Sequence, residues 1–192
     1  MIPIETPRLI LAPTPLAVMK TRLERADFVA AVPVATGDDT RRATSTLRVR
    51  FPSEWPGDAL DLFPLWIAQR EAHPAQDDWG GTMIDRAERV AVGQMSFKGP
   101  PDETGAVELG YGVNPSYHNR GYATEMAHAL VAWALTQAAV ERVTAECLED
   151  NRASARVLEK AGFKRIGRGM DDDGPLVLWE RTRYSPEGMP HS

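Results

Sequence analysis

Apolar residues recur along this chain at two spacings, and the change of spacing marks out its elements. The segment RLILA (Arg8 to Ala12) reads as a short strand closed by Pro13 and Pro15, and Leu16 to Phe28 reads as a helix. Pro33 to Pro56 mixes turn formers with TRRATSTLRVRF and is read as irregular. Asp58 to Glu71 has helical spacing, with Leu62, Leu65 and Trp66 as core candidates. From Trp79 the pattern shortens to that of strands. WGGTMID and ERVAVGQMSF read as antiparallel neighbours turning near Asp85 to Ala87. KGPPDETG is a loop rich in turn formers, and AVELGYGV is the next strand. A helix is expected from about Gly121 to Ala138, because Met126, Leu130, Val131, Ala134, Leu135 and Ala138 form one apolar stripe. RVTAECL follows as a strand with Val143, Ala145 and Cys147 on one face. Asn151 to Ala161 is a second helix, with Gly162 where a left-handed cap belongs. FKRIGR and PLVLWER are the last strands, around the turn MDDDG. The order from residue 79 is β-β-β-α-β-α-β-β. It predicts one mixed α/β domain over residues 1–184, with 185–192 as a mobile tail.

Composition narrows the function. The chain has 192 residues, 43% of them hydrophobic and 26% charged, which is the balance of an ordinary globular domain able to bury a full core. A net charge of −5 leaves no basic excess to neutralise nucleic-acid phosphates, so nucleic acid is not the expected partner. The single cysteine, Cys147, excludes an intrachain disulfide and fits a reducing compartment. No basic region followed by a long apolar stretch opens the chain, and no apolar run approaches the ~18 residues of a membrane span, so a cytoplasmic setting is expected. The four histidines have no metal-ligand spacing, and no metal is expected.

Two stretches carry candidate chemistry. In VELGYGV, strand alternation puts Val107, Leu109, Tyr111 and Val113 on one face and Glu108, Gly110 and Gly112 on the other. A carboxylate beside two positions without side chains suits the close approach of a ligand, although a bulge or tight backbone packing gives the same pattern. After the turn at Asn114-Pro115, the polar run His118-Asn119-Arg120-Gly121 reaches the mouth of a helix. A helix start exposes unpaired N–H groups and a partial positive charge, which hold an anion well. The pattern is neither a P-loop nor a dinucleotide fingerprint. The second stretch is EDNRASARVLEKAGF. Asn151 suits a helix N-cap, and Ser154 shares a stripe with Val157, Leu158 and Ala161. Arg152, Arg156 and Lys160 form another line, which reads as a solvated face. Cys147 falls on an inward strand face and reads as a small buried hydrophobe rather than a nucleophile.

Together, ELGYGVNPSYHNRGYATEM and NRASARVLEKAGF resemble the GNAT superfamily of acyl-coenzyme A-dependent N-acetyltransferases. Within it the chain is most similar to the branch of ribosomal-protein N-terminal alanine and serine acetyltransferases, whose opening strand TPRLIL resembles. The resemblance spans about residues 6 to 183. It implies a single-domain α/β fold, with a mixed, mostly antiparallel sheet flanked by helices. That sheet is splayed at the strand before the coenzyme loop, and the pantetheine arm of acetyl-coenzyme A lies against Tyr111, Gly112 and Val113. The family's phosphate loop, Q/R-x-x-G-x-G/A, falls on His118-Asn119-Arg120-Gly121-Tyr122-Ala123, with Thr124 next to it. His118 departs from the usual Gln or Arg.

The resemblance also implies roles. Glu108 is the candidate general base, and Ser154 is the candidate partner of the leaving thiolate, because Leu158 stands where many members have tyrosine. Asn151 and Ser154 would contact the coenzyme. The expected reaction is direct acetyl transfer in a ternary complex to an amine, either a protein N-terminus or a small molecule, by a monomer or homodimer. The alternative is a coenzyme A-binding sensor without catalysis. The acceptor region is expected within Leu16 to Pro74, where Phe28, Trp55 and Trp66 are core or pocket.

Overall fold

The computed structural model describes residues 4–36, 43–73 and 79–183, and the expected tail at 185–192 lies outside them. Contacts sort the chain into two compact units. One comprises residues 1–96 and 111–126, and the other comprises 97–110 and 127–192.

The first unit is built on the strands β1 (Ile4–Glu5), β2 (Leu9–Ala12), β5 (Gly80–Asp85) and β6 (Val90–Phe97). They are ordered β1-β2-β5-β6, each antiparallel to the next. Helix α1 (Leu16–Glu24) ends four residues short of the predicted Phe28, because Phe28 opens a strand. The region read as irregular is a hairpin of β3 (Phe28–Thr36) and β4 (Ala43–Phe51), registered from Phe28 opposite Phe51 to Thr36 opposite Ala43. Phe28, Val32 and Val34 of β3 are buried, while Val29, Ala31 and Pro33 are exposed. Proline is tolerated because, among the described residues, β3 pairs only with β4, so the missing N–H of Pro33 breaks no further ladder there. Residues 57–62 form a 3₁₀ turn, and the true helix, α2 (Phe63–Ala72), starts later than predicted. That delay changes which side faces inward. Phe63 is fully buried and Trp66 packs on the core, whereas Leu62 and Leu65 are exposed.

An aromatic chain fills this core. Ring centroids lie 5.0 Å apart for Phe28–Phe51, 4.7 Å for Phe51–Trp55, 5.5 Å for Trp55–Phe63 and 5.8 Å for Phe63–Trp66. Trp55 is at its centre, and its indole N–H donates to the Gly93 carbonyl at 3.3 Å. Phe28, Trp55 and Trp66 are therefore core residues.

The chain crosses between units inside regular elements: in β6, in β7 (Ala106–Val113) and in α3 (Tyr122–Thr136). In the second unit the start of β7 runs parallel to β8 (Arg142–Leu148), which is followed by antiparallel β10 (Gly174–Thr182) and β9 (Lys164–Asp171). Among the described residues, the pairing of β7 with β8 runs only from Ala106 to Leu109. Val143, Ala145 and Cys147 are buried together as predicted, and the Trp179 indole N–H donates to Cys147 Sγ at 3.3 Å. Along α3, Met126, Leu130, Val131 and Ala134 are buried; Ala138 lies beyond the helix end and is exposed. Helix α4 (Arg152–Lys160) ends at Gly162, whose φ of +83° fits the expected left-handed cap.

Asp85 ties the β5–β6 turn to α3. Its Oδ1 accepts from the N–H groups of Ala87 (2.9 Å) and Glu88 (2.8 Å), and its Oδ2 accepts from the Tyr122 hydroxyl at 2.5 Å. Burial alone would raise the Asp85 carboxyl, but the bonds from Glu88, Tyr122 and Ala87 hold it below its ordinary range. A depressed carboxyl contributes stability that is present above its unfolded value and lost as pH falls through the folded one.

Two outcomes follow for stability. Trp55→Ala removes the central ring of the aromatic chain and should cost about 3–5 kcal/mol, measured as the shift in urea unfolding. Asp85→Asn should cost about 1.5–3 kcal/mol at pH 7, the usual worth of a hydrogen bond to a charged group. Thermal melts should show the wild type losing stability steeply below pH ~4 and the variant following a flatter curve.

Candidate functional site

In the first unit, Asn114 is buried and ends β7, its amide donating to the Ala91 carbonyl at 2.9 Å and its backbone N–H to the Val92 carbonyl at 2.8 Å. Pro115–Tyr117 makes one 3₁₀ turn, and the chain then exposes His118, Asn119, Arg120 and Gly121. Asn119 has φ +59° and Gly121 has φ +78°. Left-handed residues on either side of Arg120 gather successive N–H groups into a concave face that attracts anions. Asn is among the few side chains that tolerate this conformation, and glycine meets it without strain. The turn opens directly on α3, which starts at Tyr122. Backbone donors and the helix dipole thus act at one exposed spot.

The side chains of the turn are engaged with the body of this unit. The His118 ring Nε2 lies 2.7 Å from the Val113 carbonyl, so the residue that departs from the family pattern ties the end of β7 to the loop. Arg120 stacks over the Tyr117 ring at 4.7 Å. The Tyr117 hydroxyl donates to Glu88 at 2.8 Å, and burial together with that bond pushes the phenol up to about 12. Tyr122 is buried and stacks on Tyr117 at 6.1 Å. Its side chain therefore serves the fold, which leaves its backbone for a ligand. Ala123 and Thr124 are partly exposed in the first turn of α3.

Strand β7 supplies the other candidate groups. Val107 and Leu109 are buried, so the alternation that turns Glu108 to the opposite face holds; at Tyr111 and Val113 burial is only partial. Among the described residues, nothing lies within 4 Å of where a Cβ on Gly112 would stand. Tight backbone packing therefore does not explain that glycine, whereas an open face does.

In the second unit, Glu108 is not alone. The Lys98 ammonium bridges Glu108 Oε1 and Glu146 Oε1, the latter at 2.8 Å. Burial works against the charge on Lys98, but the bonds to the two carboxylates outweigh it and hold the ammonium above its ordinary value. The sequence reading missed this cluster. Its signal was strand alternation: Thr144 is registered opposite Glu108, and Glu146 lies two residues further along the same face of β8. Asn151 is the N-cap of α4, accepting from the Ser154 N–H at 3.0 Å, and Ser154 is half-buried on the first turn. Leu158 is fully buried and offers no acid group. Among the described residues, no cluster could hold a metal ion, and no helix is long and apolar enough to cross a membrane.

Comparison with known proteins agrees with this geometry. The family model described as an acetyltransferase (GNAT) domain matches residues 22–164. An uncharacterized N-acetyltransferase of Bacillus subtilis (strain 168), YjdG, is 32% identical over 133 residues, covering 67% of this chain and 78% of the relative. A GNAT-family acetyltransferase from Bacillus anthracis has a similar fold, with a TM-score of 0.62 at 17% identity, covering 95% of this chain and 99% of that one. So does RimL, a ribosomal L7/L12 alpha-N-protein acetyltransferase solved in complex with coenzyme A, with a TM-score of 0.64 at 13% identity over 94% and 97% of the two chains. With a family model covering most of its length and a relative 32% identical over two thirds of it, this chain belongs to the GNAT family of acetyltransferases.

Proposed function

We propose that the chain, acting as one domain over residues 1–184, binds acetyl-coenzyme A and passes the acetyl group to an amine by direct attack in a ternary complex. The observation that carries this reading is the exposed left-handed turn Asn119–Gly121 at the mouth of α3. Its backbone N–H groups, with those of Arg120, Tyr122, Ala123 and Thr124, hold the pyrophosphate; the His118 N–H, which the family pattern also suggested, is taken by the Pro115 carbonyl at 3.1 Å. Tyr111, Gly112 and Val113 line the pantetheine arm, and the open face at Gly112 supports that role. Asn151 and Ser154 contact the thiol end.

In the reaction the amine nitrogen attacks the thioester carbonyl, an N–C bond forms and the C–S bond breaks. Glu108 takes the amine proton, directly or through one water. Lys98, itself anchored on Glu146, holds its carboxylate in place. The Ser154 hydroxyl donates a hydrogen bond to the departing thiolate, a role Leu158 cannot fill. The acceptor we favour is a protein N-terminus, supported by the likeness in fold to an alpha-N-protein acetyltransferase and by the TPRLIL opening. A small-molecule amine is the competing acceptor. The single thiol, Cys147, is buried and fits work in the cytoplasm.

The test is release of free coenzyme A thiol from acetyl-coenzyme A, with a panel of peptides bearing N-terminal alanine or serine and a panel of polyamines and amino sugars. Peptide-dependent release supports the favoured acceptor. Release by small amines alone replaces it, and no release with any amine leaves the binding-module reading.

Two variants test the residues. Gly121→Val places a β-branched residue at φ +78°, a conformation such side chains rarely adopt. The added Cβ meets only ordinary contact, with Arg8 Nη2 at 3.5 Å, so the damage is to the turn itself. Calorimetry should show severe loss of coenzyme affinity in a folded protein; unchanged affinity would overturn the assignment of this turn. Glu108→Gln should lower turnover roughly 10²–10⁴-fold, the range for general acid–base groups. Coenzyme affinity should barely change, and wild-type turnover with the cognate amine removes Glu108 from the mechanism.

A further inference from the structure

The segment Thr6-Pro7-Arg8-Leu9 marked the start of the chain as distinctive, yet nothing in the reaction above uses it. Its place in the first unit gives it a task. Arg8 makes a connected set of contacts with the start of α3. Its backbone N–H donates to Glu125 Oε1 at 3.0 Å, and its Nε donates to Glu125 Oε2 at 2.6 Å. Its Nη1 donates to the Arg120 carbonyl at 2.8 Å. Its guanidinium lies 4.7 Å over the Tyr122 ring. Glu125 is fixed in turn by the Thr6 hydroxyl at 2.7 Å. Burial alone would raise the Glu125 carboxyl, but the bonds from Thr6 and Arg8 hold it below its ordinary range. The remaining guanidinium nitrogen, Nη2, stands 3.5 Å from where a Cβ on Gly121 would be.

We propose that Arg8 is a further coenzyme-affinity residue: Nε and Nη1 clamp the left-handed turn through Glu125 and the Arg120 carbonyl, and Nη2 is presented to the pyrophosphate at Gly121. The inference rests on the proposed donor site, since it assigns a side chain to the anion that the turn receives. A guanidinium fork suits the task. Its nitrogens lie in one plane at fixed angles, so anchoring two of them orients the third. The anchoring is complete before the ligand arrives, so little side-chain freedom is lost on binding. The ring of Tyr122 beneath it confines the plane further. Arg120 cannot do the same from its position, because its guanidinium stacks on Tyr117 and faces Glu88 at 3.9 Å.

The test is binding of coenzyme A and of pantetheine, which lacks the pyrophosphate, to the full chain carrying Arg8→Met. Affinity for coenzyme A should fall roughly 10–100-fold, the span of one or two charge-assisted hydrogen bonds. Affinity for pantetheine should stay at its wild-type value, a separation that a general loss of folding does not produce. In turnover, the KM for acetyl-coenzyme A should rise while kcat holds. Wild-type affinity for coenzyme A overturns the proposal, and so does an equal loss for both ligands. If Arg8→Met does not fold, Arg8→Lys replaces it: lysine keeps the charge and the bond to Glu125 but has no fork, so coenzyme A should still bind more weakly and pantetheine normally. Full coenzyme affinity in Arg8→Lys overturns the proposal. Gly121→Val separates the two levels of the argument. If it loses coenzyme affinity while Arg8→Met does not, the turn keeps its role and Arg8 does not. If neither loses affinity, the pyrophosphate site itself is wrong and the proposal falls with it.

Discussion

Everything proposed for the donor site depends on two carboxylates that fix the first turn of α3. Asp85 holds Tyr122 at the helix start, and Glu125, one turn further on, holds Thr6 and Arg8. Left-handed backbone at Asn119 and Gly121 has a conformational cost, and it persists only where the surroundings determine it. Here the determination comes from outside the turn. The carbonyl of Arg120 is fastened by Arg8, and the ring of His118 closes on the Val113 carbonyl. Each of these ties spends a side chain on shape. The backbone N–H groups of an exposed turn are then the donors that face solvent, a fitting arrangement for a ligand recognised by its phosphates.

Strand β7 carries the transition from scaffold to chemistry within eight residues. Val107 and Leu109 bury one face, and the other face bears a carboxylate and, further on, the open position of Gly112. The carboxylate belongs to a cluster with one ammonium and a second carboxylate, so its formal charge is −1 when all three are ionised. Lys98 is held protonated by that pair. Two carboxylates near one another repel, and the ammonium between them removes that penalty. The ammonium also fixes the direction of the Glu108 carboxylate, which suits the base role proposed for it. The partner proposed for the thiolate, Ser154, is a weak donor on the first turn of a helix whose dipole also favours negative charge.

How much of this was legible in the sequence depends on how far apart the interacting residues are. Alternation in β7 and β8 and the apolar stripe of α3 are local patterns, and each gave the right element and the right buried face. The left-handed Gly162 was readable for the same reason, since glycine just past a helix end has few other uses, whereas the left-handed backbone of Asn119 and Gly121 was not foreseen. The failures were local patterns crossed by a stronger punctuation signal. Leu47, Val49 and Phe51 alternate with Arg48 and Arg50 as a strand should, but Pro33 and the surrounding turn formers argued against a hairpin. Only the pairing partner shows that β3 is an edge, where proline does no harm. The 3₁₀ turn at 57–62 likewise shifted the helical phase, and Leu62 and Leu65 were counted inward when they face solvent. The ionic contacts were missed, although strand alternation carried a partial signal for one of them. Arg8 and Glu125 are 117 positions apart, and Lys98 and Glu146 are 48 apart. Alternation places Glu108 and Glu146 on one face once β7 and β8 are paired, but apolar periodicity names no charge partner, and for Arg8 and Glu125 it gives no hint at all. A sequence of this kind therefore yields its elements and the turn proposed as the anion site, while the side chains proposed to tune it emerge only once the strands are paired.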